Sequence, residues 1–363
     1  LSTPSFCPNP NCPHHQAPQV PPGARWFRRC GFHHTKIRGP VARFKCLTCG
    51  KTFSSQTFCL SYYDKLEVSY EQIILNLPSG QGLRQTARAM QLNHKVVARR
   101  LAKLVPQALS LHAHALQRAR LDNTLVFDGF ESFAYSQYYP NSIQLLVGQN
   151  SQVVWGFNIA PLRRKGRMTE TQRQRRAELE LNGRPDPHLL EARCQELFES
   201  IYPKAKNTPQ PLTLVTDKHP AYPRALQKAG LAQTWAHQTI SSRQARTKTN
   251  PLFAVNYLDR QFRKDLAEHV RETTRWAKRP ERQIGRVAVY LAWHHVQKPF
   301  RINGWNKVLR HLELAGWSKA ELAREWKELL QNRRFGTREV LHEWHRRVWN
   351  RKDRNPTLHQ QKI

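Results

Sequence analysis

Acidic residues are scarce in this chain of 363 residues: 26 Asp and Glu stand against 59 Lys and Arg, a formal net charge of +33. So lopsided a balance says little about fold but favours a polyanion as partner. Nucleic acid leads, since neutralised phosphates release counterions and supply most non-specific affinity. An anionic membrane surface is the rival. Long apolar runs are also missing. None approaches the roughly 18–20 residues that span a bilayer, and no signal-peptide pattern is present, so no membrane partner is expected. The seven cysteines are an odd number, and four fall in two close pairs. That speaks against a disulfide framework and for a metal site in a reducing compartment, hence a cytoplasmic protein. There are no internal repeats.

The length allows two or three domains. Residues 1–62 are rich in Pro, Cys and His and lack helical periodicity. Over 63–120 apolar residues recur at three and four, and from 121 the pattern turns strand-like, interrupted by a basic helical insertion within 162–210. Helical periodicity dominates from about 251, and 301–363 form a basic, Trp-rich helical region. The expected class is therefore a multidomain α/β protein, with boundaries near 62, 120 and 300. The last residues, "RKDRNPTLHQQKI", are expected to be a disordered tail.

"CPNPNC" holds Cys7 and Cys12, and "CLTC" holds Cys46 and Cys49. Two such knuckles supply four thiolates to one tetrahedral Zn²⁺ at about 2.3 Å, the pattern of a zinc ribbon. Gly50 permits a tight second knuckle, and Phe44 and Phe53 can pack its strands. A unit this small lacks core area, so the metal would do much of the folding. His14, His15 and Cys30 remain open as substitute ligands.

"SGQGLRQTARAMQLNHKVVARRLAKL" (79–104) places Leu83, Ala87 and Met90 on one helical face, then breaks at 91–93. Val97, Leu101 and Leu104 line a second helix, which Asn93 can cap. The pair fits a helix-turn-helix, with His94, Lys95, Ala98, Arg99 and Arg100 facing outward to DNA. Arg163, Arg164, Lys165 and Arg167 in the insertion could line a DNA channel. Most of Trp305, Trp317, Trp326, Trp344 and Trp349 are expected in the core, and "SKAE" (318–321) is a capping box.

The strand-like region holds "TLVFDGF" with Asp128 near its end, a hairpin over 142–160, a helix over 188–202, and "LTLVTD" ending at Asp217. A helix near 220–229, a short strand near 234–238 and a long helix over 256–276 follow. Three strands, helix, strand, helix, strand and helix is the order of the ribonuclease-H-like fold, in which the first and fourth strands are neighbours. Asp128 and Asp217 would then stand together, where two carboxylates about 4 Å apart repel by roughly 4 kcal/mol at an effective dielectric near 20. A divalent cation relieves that repulsion, and paired Mg²⁺ ions serve phosphoryl transfer. On the long helix Asp259 shares a stripe with Phe262, Leu266 and Val270, whereas Asp265, Glu268 and Glu272 project more than about 100° away. Asp259 is thus the expected third ligand, and Glu268 and Glu272 stand in reserve should the helix break or start late. Glu131 is a candidate supporting group. His219 and His237 are expected to be structural or DNA-facing.

These segments together resemble the DDE-type transposases of bacterial insertion sequences. "VTDKHPAY" is similar to their second-aspartate motif, "NYLDRQFRKDLAEHVRETTRWAKRPE" to their third-acid helix, and "WHHVQKPFRI" (293–302) to the segment closing the catalytic domain. The family usually carries Glu as third acid, where this chain has Asp259. The resemblance implies cleavage at element ends by water and strand transfer by the freed 3′-OH, with Mg²⁺ or Mn²⁺ on Asp128, Asp217 and Asp259. It also implies double-stranded DNA as partner, a homo-oligomer assembled on it, and a bacterial, nucleoid-associated protein. The alternatives are a DNA-binding regulator on a catalytically inactive nuclease scaffold, and a Mg²⁺-dependent structure-selective nuclease.

Overall fold

The computed structural model describes residues 3–16, 25–181, 183–208, 210–301 and 308–359. Trp305 and Ile302 lie outside them. Among the described residues the chain is mixed α/β with two sheets. β1 (Phe27–Thr35), β2 (Gly39–Cys46) and β3 (Thr52–Ser54) form a small antiparallel sheet in the order β1-β2-β3. Its core is separate from the rest and consists of Trp26, Phe44 and Phe53 around three of the paired cysteines. Phe53 stacks between Trp26 and Phe44 at 5.9 and 5.8 Å. The unit is moored to the far end of the chain, where His15 Nε2 meets Thr337 Oγ1 at 2.8 Å and Phe6 packs edge-on against Phe335.

α1 (Tyr70–Asn76), α2 (Leu83–Ala89) and α3 (His94–Arg118) follow. Gln91, at φ +53°, turns the chain between α2 and α3, and the Asn93 side chain accepts the Lys95 N–H at 2.9 Å. α3 is far longer than a DNA-reading helix requires. Its C-terminal half runs into the main core, burying Leu104, Ala108, Leu109, Leu111 and Ala115.

The main sheet consists of β4 (Thr124–Phe133), β5 (Pro140–Gly148), β6 (Val154–Pro161), β7 (Thr213–Asp217) and β8 (Ala236–Ile240), in the order β6-β5-β4-β7-β8. β4, β5 and β6 make an antiparallel meander, while β7 and β8 run parallel to β4. β5 and β6 are buried along nearly their whole length, as strands covered on both faces must be. Between β6 and β7 lie α4 (Glu170–Glu180), which buries nothing, and α5 (Leu189–Ala205). α6 (Ala221–Lys228) joins β7 to β8. Phe127 meets Phe198 of α5 and Tyr222 of α6 on one face, and Phe130 meets the other face's α7 (Phe253–Asp265).

α8 (Pro280–Val296), α9 (His311–Leu314), α10 (Lys319–Gln331), α11 (Glu343–Trp349) and α12 (Pro356–His359) complete the chain. Trp317, Trp326 and Trp344 are buried and the half-buried Trp349 packs against the main core, as expected. One continuous core takes in residues from Leu60 to Val348 and passes residues 120 and 300 without a break.

Two expectations are corrected. The helix expected over 256–276 is shorter: α7 ends at Asp265, so Val270 is not on it. The Thr273 hydroxyl donates to the Ala267 carbonyl and accepts the Arg275 N–H, and Glu272 adopts φ +55°. Such side-chain bonds to backbone compete with the helix. Nor is the tail disordered through residue 358. Asp353 is buried and accepts Arg347 Nε at 2.7 Å and an Arg193 guanidinium N–H at 3.3 Å. The Thr357 hydroxyl of α12 donates to the Gly183 carbonyl.

Candidate metal centres and nucleic-acid face

Cys7, Cys12, Cys46 and Cys49 present sulfurs all within 4.8 Å of one another. Cys7 and Cys49 are 3.6 Å apart and Cys12 and Cys46 3.7 Å, close to the edge of about 3.8 Å of a tetrahedron with Zn–S near 2.3 Å. Gly50 sits at φ +69° and returns its N–H to the Cys46 carbonyl, closing the second knuckle. Burial pushes the Cys7 and Cys12 thiols up. Burial opposes ionisation of Cys49 too, yet the Lys51 N–H and the Asn9 side chain hold it down at about 6. The donor set fits a single soft cation. His14, His15 and Cys30 are not in the cluster. His15 is spent on the Cys7 carbonyl and Thr337, and His14 on Thr48.

The acids are placed by the main sheet. Phe127 pairs with Thr216 in the parallel β4–β7 ladder, so the next residues, Asp128 and Asp217, leave it side by side. Alternation puts Asp128 on the same face as Phe130, whose ring meets Phe262 of α7 at 5.6 Å. Asp259 lies about one turn before Phe262. Asp128 Oδ1 accepts the Gly129 N–H at 2.7 Å and the Tyr222 hydroxyl at 3.4 Å, and Asp217 Oδ1 accepts the His219 N–H at 2.8 Å.

Burial pushes the Asp128 carboxyl up to about 6, and Asp217 adds to the rise against the pull of Gly129, Arg246 and Tyr222. Asp259 is pushed well above the usual carboxylate range, first by burial and then by Asp128, with Arg263 and Arg246 opposing. Its Oδ1 is buried without a hydrogen-bond partner, a costly state that a bound cation would relieve. The three acids thus feel one another in a chain. They are not gathered as tightly as the sulfurs: among the described residues only the four cysteines have all donor atoms within 4.8 Å.

Glu268 is buried against Arg286 of α8, and Glu272 is exposed. Glu131 is also exposed, on β4. His237 is tied to the Thr216 hydroxyl at 2.9 Å. His219 is exposed beside Tyr222.

Of the cations expected to meet DNA, Lys95 and Arg99 are exposed on the first turns of α3. Arg100 is not. It is buried, donating to Asp64 at 2.6 Å and to the Leu66 carbonyl at 3.0 Å, so the expectation of an outward Arg100 is corrected. Lys165 and Arg167 are exposed and Arg164 half-buried, whereas Arg163 is clamped by Glu180 of α4. A basic cleft of about 820 Å³ between α2, α3 and α8 went unforeseen; Arg84, Arg88, Arg282 and Arg351 are among its walls. The Arg-rich starts of α2 and α8 signal it, but their meeting depends on tertiary packing. Among the described residues no helix is long and apolar enough to cross a membrane.

No protein-family description and no curated protein matches the chain. Among solved structures it is similar to one described as the crystal structure of the Mos1 mariner paired end complex with Mn. The identity is 12%, the match covers 64% of this chain and 79% of that one, and the TM-score is 0.20.

Proposed function

We propose that this chain is a DNA transposase that cleaves phosphodiester bonds and transfers the freed 3′-OH to a target strand. The observation that carries the reading is that Asp128 of β4 feels the charge of Asp217 of β7 and Asp259 of α7 feels that of Asp128, in a chain of net charge +33. The strand order of the main sheet supports a ribonuclease-H-like catalytic domain, the four-cysteine sheet a zinc ribbon, and α2–turn–α3 a helix-turn-helix. Asp128, Asp217 and Asp259 would hold Mg²⁺ or Mn²⁺, which when bound supplies charge neutralisation at the scissile phosphate. Tyr222 orients Asp128, while Arg246 and Arg263 bring positive charge to the acids for a phosphate to meet. Lys95 and Arg99 would meet the duplex, with Arg164, Lys165 and the cleft arginines extending the positive path.

The test is a labelled linear DNA carrying the sequences that flank the gene, incubated with Mg²⁺ or Mn²⁺. Wild type should cleave and join it. Asp128→Asn, Asp217→Asn and Asp259→Asn should each lose at least about 100-fold in rate while binding DNA normally. Cleavage that survives Asp217→Asn would overturn the reading. A DNA-binding regulator on an inactive scaffold is favoured by one observation, the looser gathering of the acids. Binding without cleavage under every metal would support it.

A further inference from the structure

The zinc-ribbon-like unit carries a surface feature that its four cysteines do not explain. Between the β1–β2 hairpin and residues 52–65 lies a cleft of about 740 Å³, whose walls include Lys36, Arg38, Arg43, Lys65, Tyr62 and Tyr63. The four cations are exposed, and Arg38 is positioned by a bond to the Ser61 hydroxyl. The acid beside them, Asp64, is already neutralised by Arg100 and Lys103. The cleft is therefore strongly positive.

Its aromatic wall is built in an unusual way. The chain turns here, with the Tyr62 N–H on the Cys59 carbonyl and the Asp64 N–H on the Ser61 carbonyl. Within that turn Tyr63 takes φ +60°, uncommon for a bulky residue, and its ring lies 4.0 Å from that of Tyr62, tilted by 36°. Backbone strain of this kind persists where the surroundings over-determine it, and it is a recognised mark of function. Tyr62 is held from a second direction by the Arg333 guanidinium, 4.8 Å from its ring centre. Tyr63 itself is 81% exposed. The fold thus strains its backbone to support a large ring that buries almost nothing.

We propose that Tyr63 is a stacking ledge for single-stranded nucleic acid, with flanking phosphates on Arg38, Arg43, Lys36 and Lys65. The proposal rests on the nucleic-acid reading above and adds the state of the strand. In a duplex the bases are stacked on one another and offer no open face, so a protruding ring gains from an unpaired base and little from a helix. An exposed aromatic beside cations that track a backbone is the chemistry of sequence-tolerant single-strand binding.

The experiment titrates the full-length, zinc-loaded protein, with no magnesium added, into a labelled thymidine oligonucleotide carrying one 2-aminopurine, and separately into a duplex. Tyr63→Asn tolerates the left-handed backbone and removes the ring. It should lose about tenfold in single-strand affinity and abolish the 2-aminopurine quench, with duplex affinity and salt dependence unchanged. Tyr63→Trp should keep both. An Arg38→Gln/Arg43→Gln double variant should instead flatten the salt dependence by about 1.4 in log–log slope. Single-strand affinity unchanged in Tyr63→Asn, or an equal loss on duplex, overturns the ledge. Should Tyr63→Asn fail to fold, absence of quench with wild type and with Tyr63→Trp overturns it as well. The titration contains no magnesium and reads binding alone, so failure of the catalytic reading leaves this test standing.

Discussion

Replacing Asp128 by Asn should stabilise the metal-free protein, and should do so only above about pH 5. The carboxyl titrates near 6 in the fold, against about 3.9 in an unfolded chain. Because the folded value is the higher, the folded state holds this proton more tightly. The stability tied to it is complete below about pH 3.9 and is lost as pH rises through about 6. A gap of about two pH units corresponds to roughly 3 kcal/mol at pH 8. Asp128 is partly open to solvent, so screening reduces the observable share to about 1–2 kcal/mol. Asn keeps an oxygen for the Gly129 N–H and carries no charge to repel Asp217 and Asp259.

The assay is urea unfolding of wild type and Asp128→Asn at pH 4, 6 and 8, with and without Mg²⁺. At pH 4 the two curves should coincide, and at pH 8 without metal the variant should be the more stable. Adding Mg²⁺ should raise wild type, since a ligand that binds only the folded state stabilises it by mass action. The variant should respond far less. A variant no more stable at pH 8, or an equal Mg²⁺ effect on both proteins, would refute the linkage between the buried Asp128 charge and metal binding.

Other outcomes follow from the same contacts. Cys46→Ser should lower zinc content, read by elemental analysis, from near one per chain to none and expose residues 25–60 to proteolysis. Asp64→Ala strands the buried Arg100 guanidinium and should cost about 3–5 kcal/mol in urea unfolding. Arg99→Gln should weaken duplex binding and reduce the salt slope by about 0.9, whereas Arg100→Gln should act on stability and leave that slope unchanged.

How much of this was legible in the sequence depends on how local the cause is. The Asn93 cap, the Gly50 knuckle and the adjacency of β4 and β7 follow from short motifs and from element order, and the structure has each. The positions of Arg100 and the chain end do not follow that way. Arg100 differs from Arg99 by one step around a helix, and what draws it inward is Asp64, 36 residues earlier. Asp353 sits in a stretch polar enough to look disordered, yet two arginines from α5 and α11 meet it in the interior. Charge pairs formed over such distances leave no period in the sequence. The early end of α7 is intermediate: Thr273 is a visible helix competitor, but its partner, the Ala267 carbonyl, becomes available only once the chain has turned.

That early end bears on the third acid. A shorter carboxylate in this position requires its helix to lie close to the sheet. α7 meets that need through Phe262, fully buried against Phe130, with the Arg263 guanidinium over the same Phe130 ring at 4.7 Å. A helix continuing to residue 276 would have carried Glu268 and Glu272 onward along the same rod. Ending at Asp265 instead frees Glu268 to meet Arg286, and Asp265 accepts the Tyr290 hydroxyl at 2.7 Å. Asp265 and Glu268 are thereby both committed to α8. Asp259, one turn from the Phe262 anchor, is left with a buried oxygen that no donor reaches, its pKa raised first by burial and then by the Asp128 charge. A buried polar atom without a partner is unfavourable, and that oxygen is the observation on which the proposed cation at Asp259 rests.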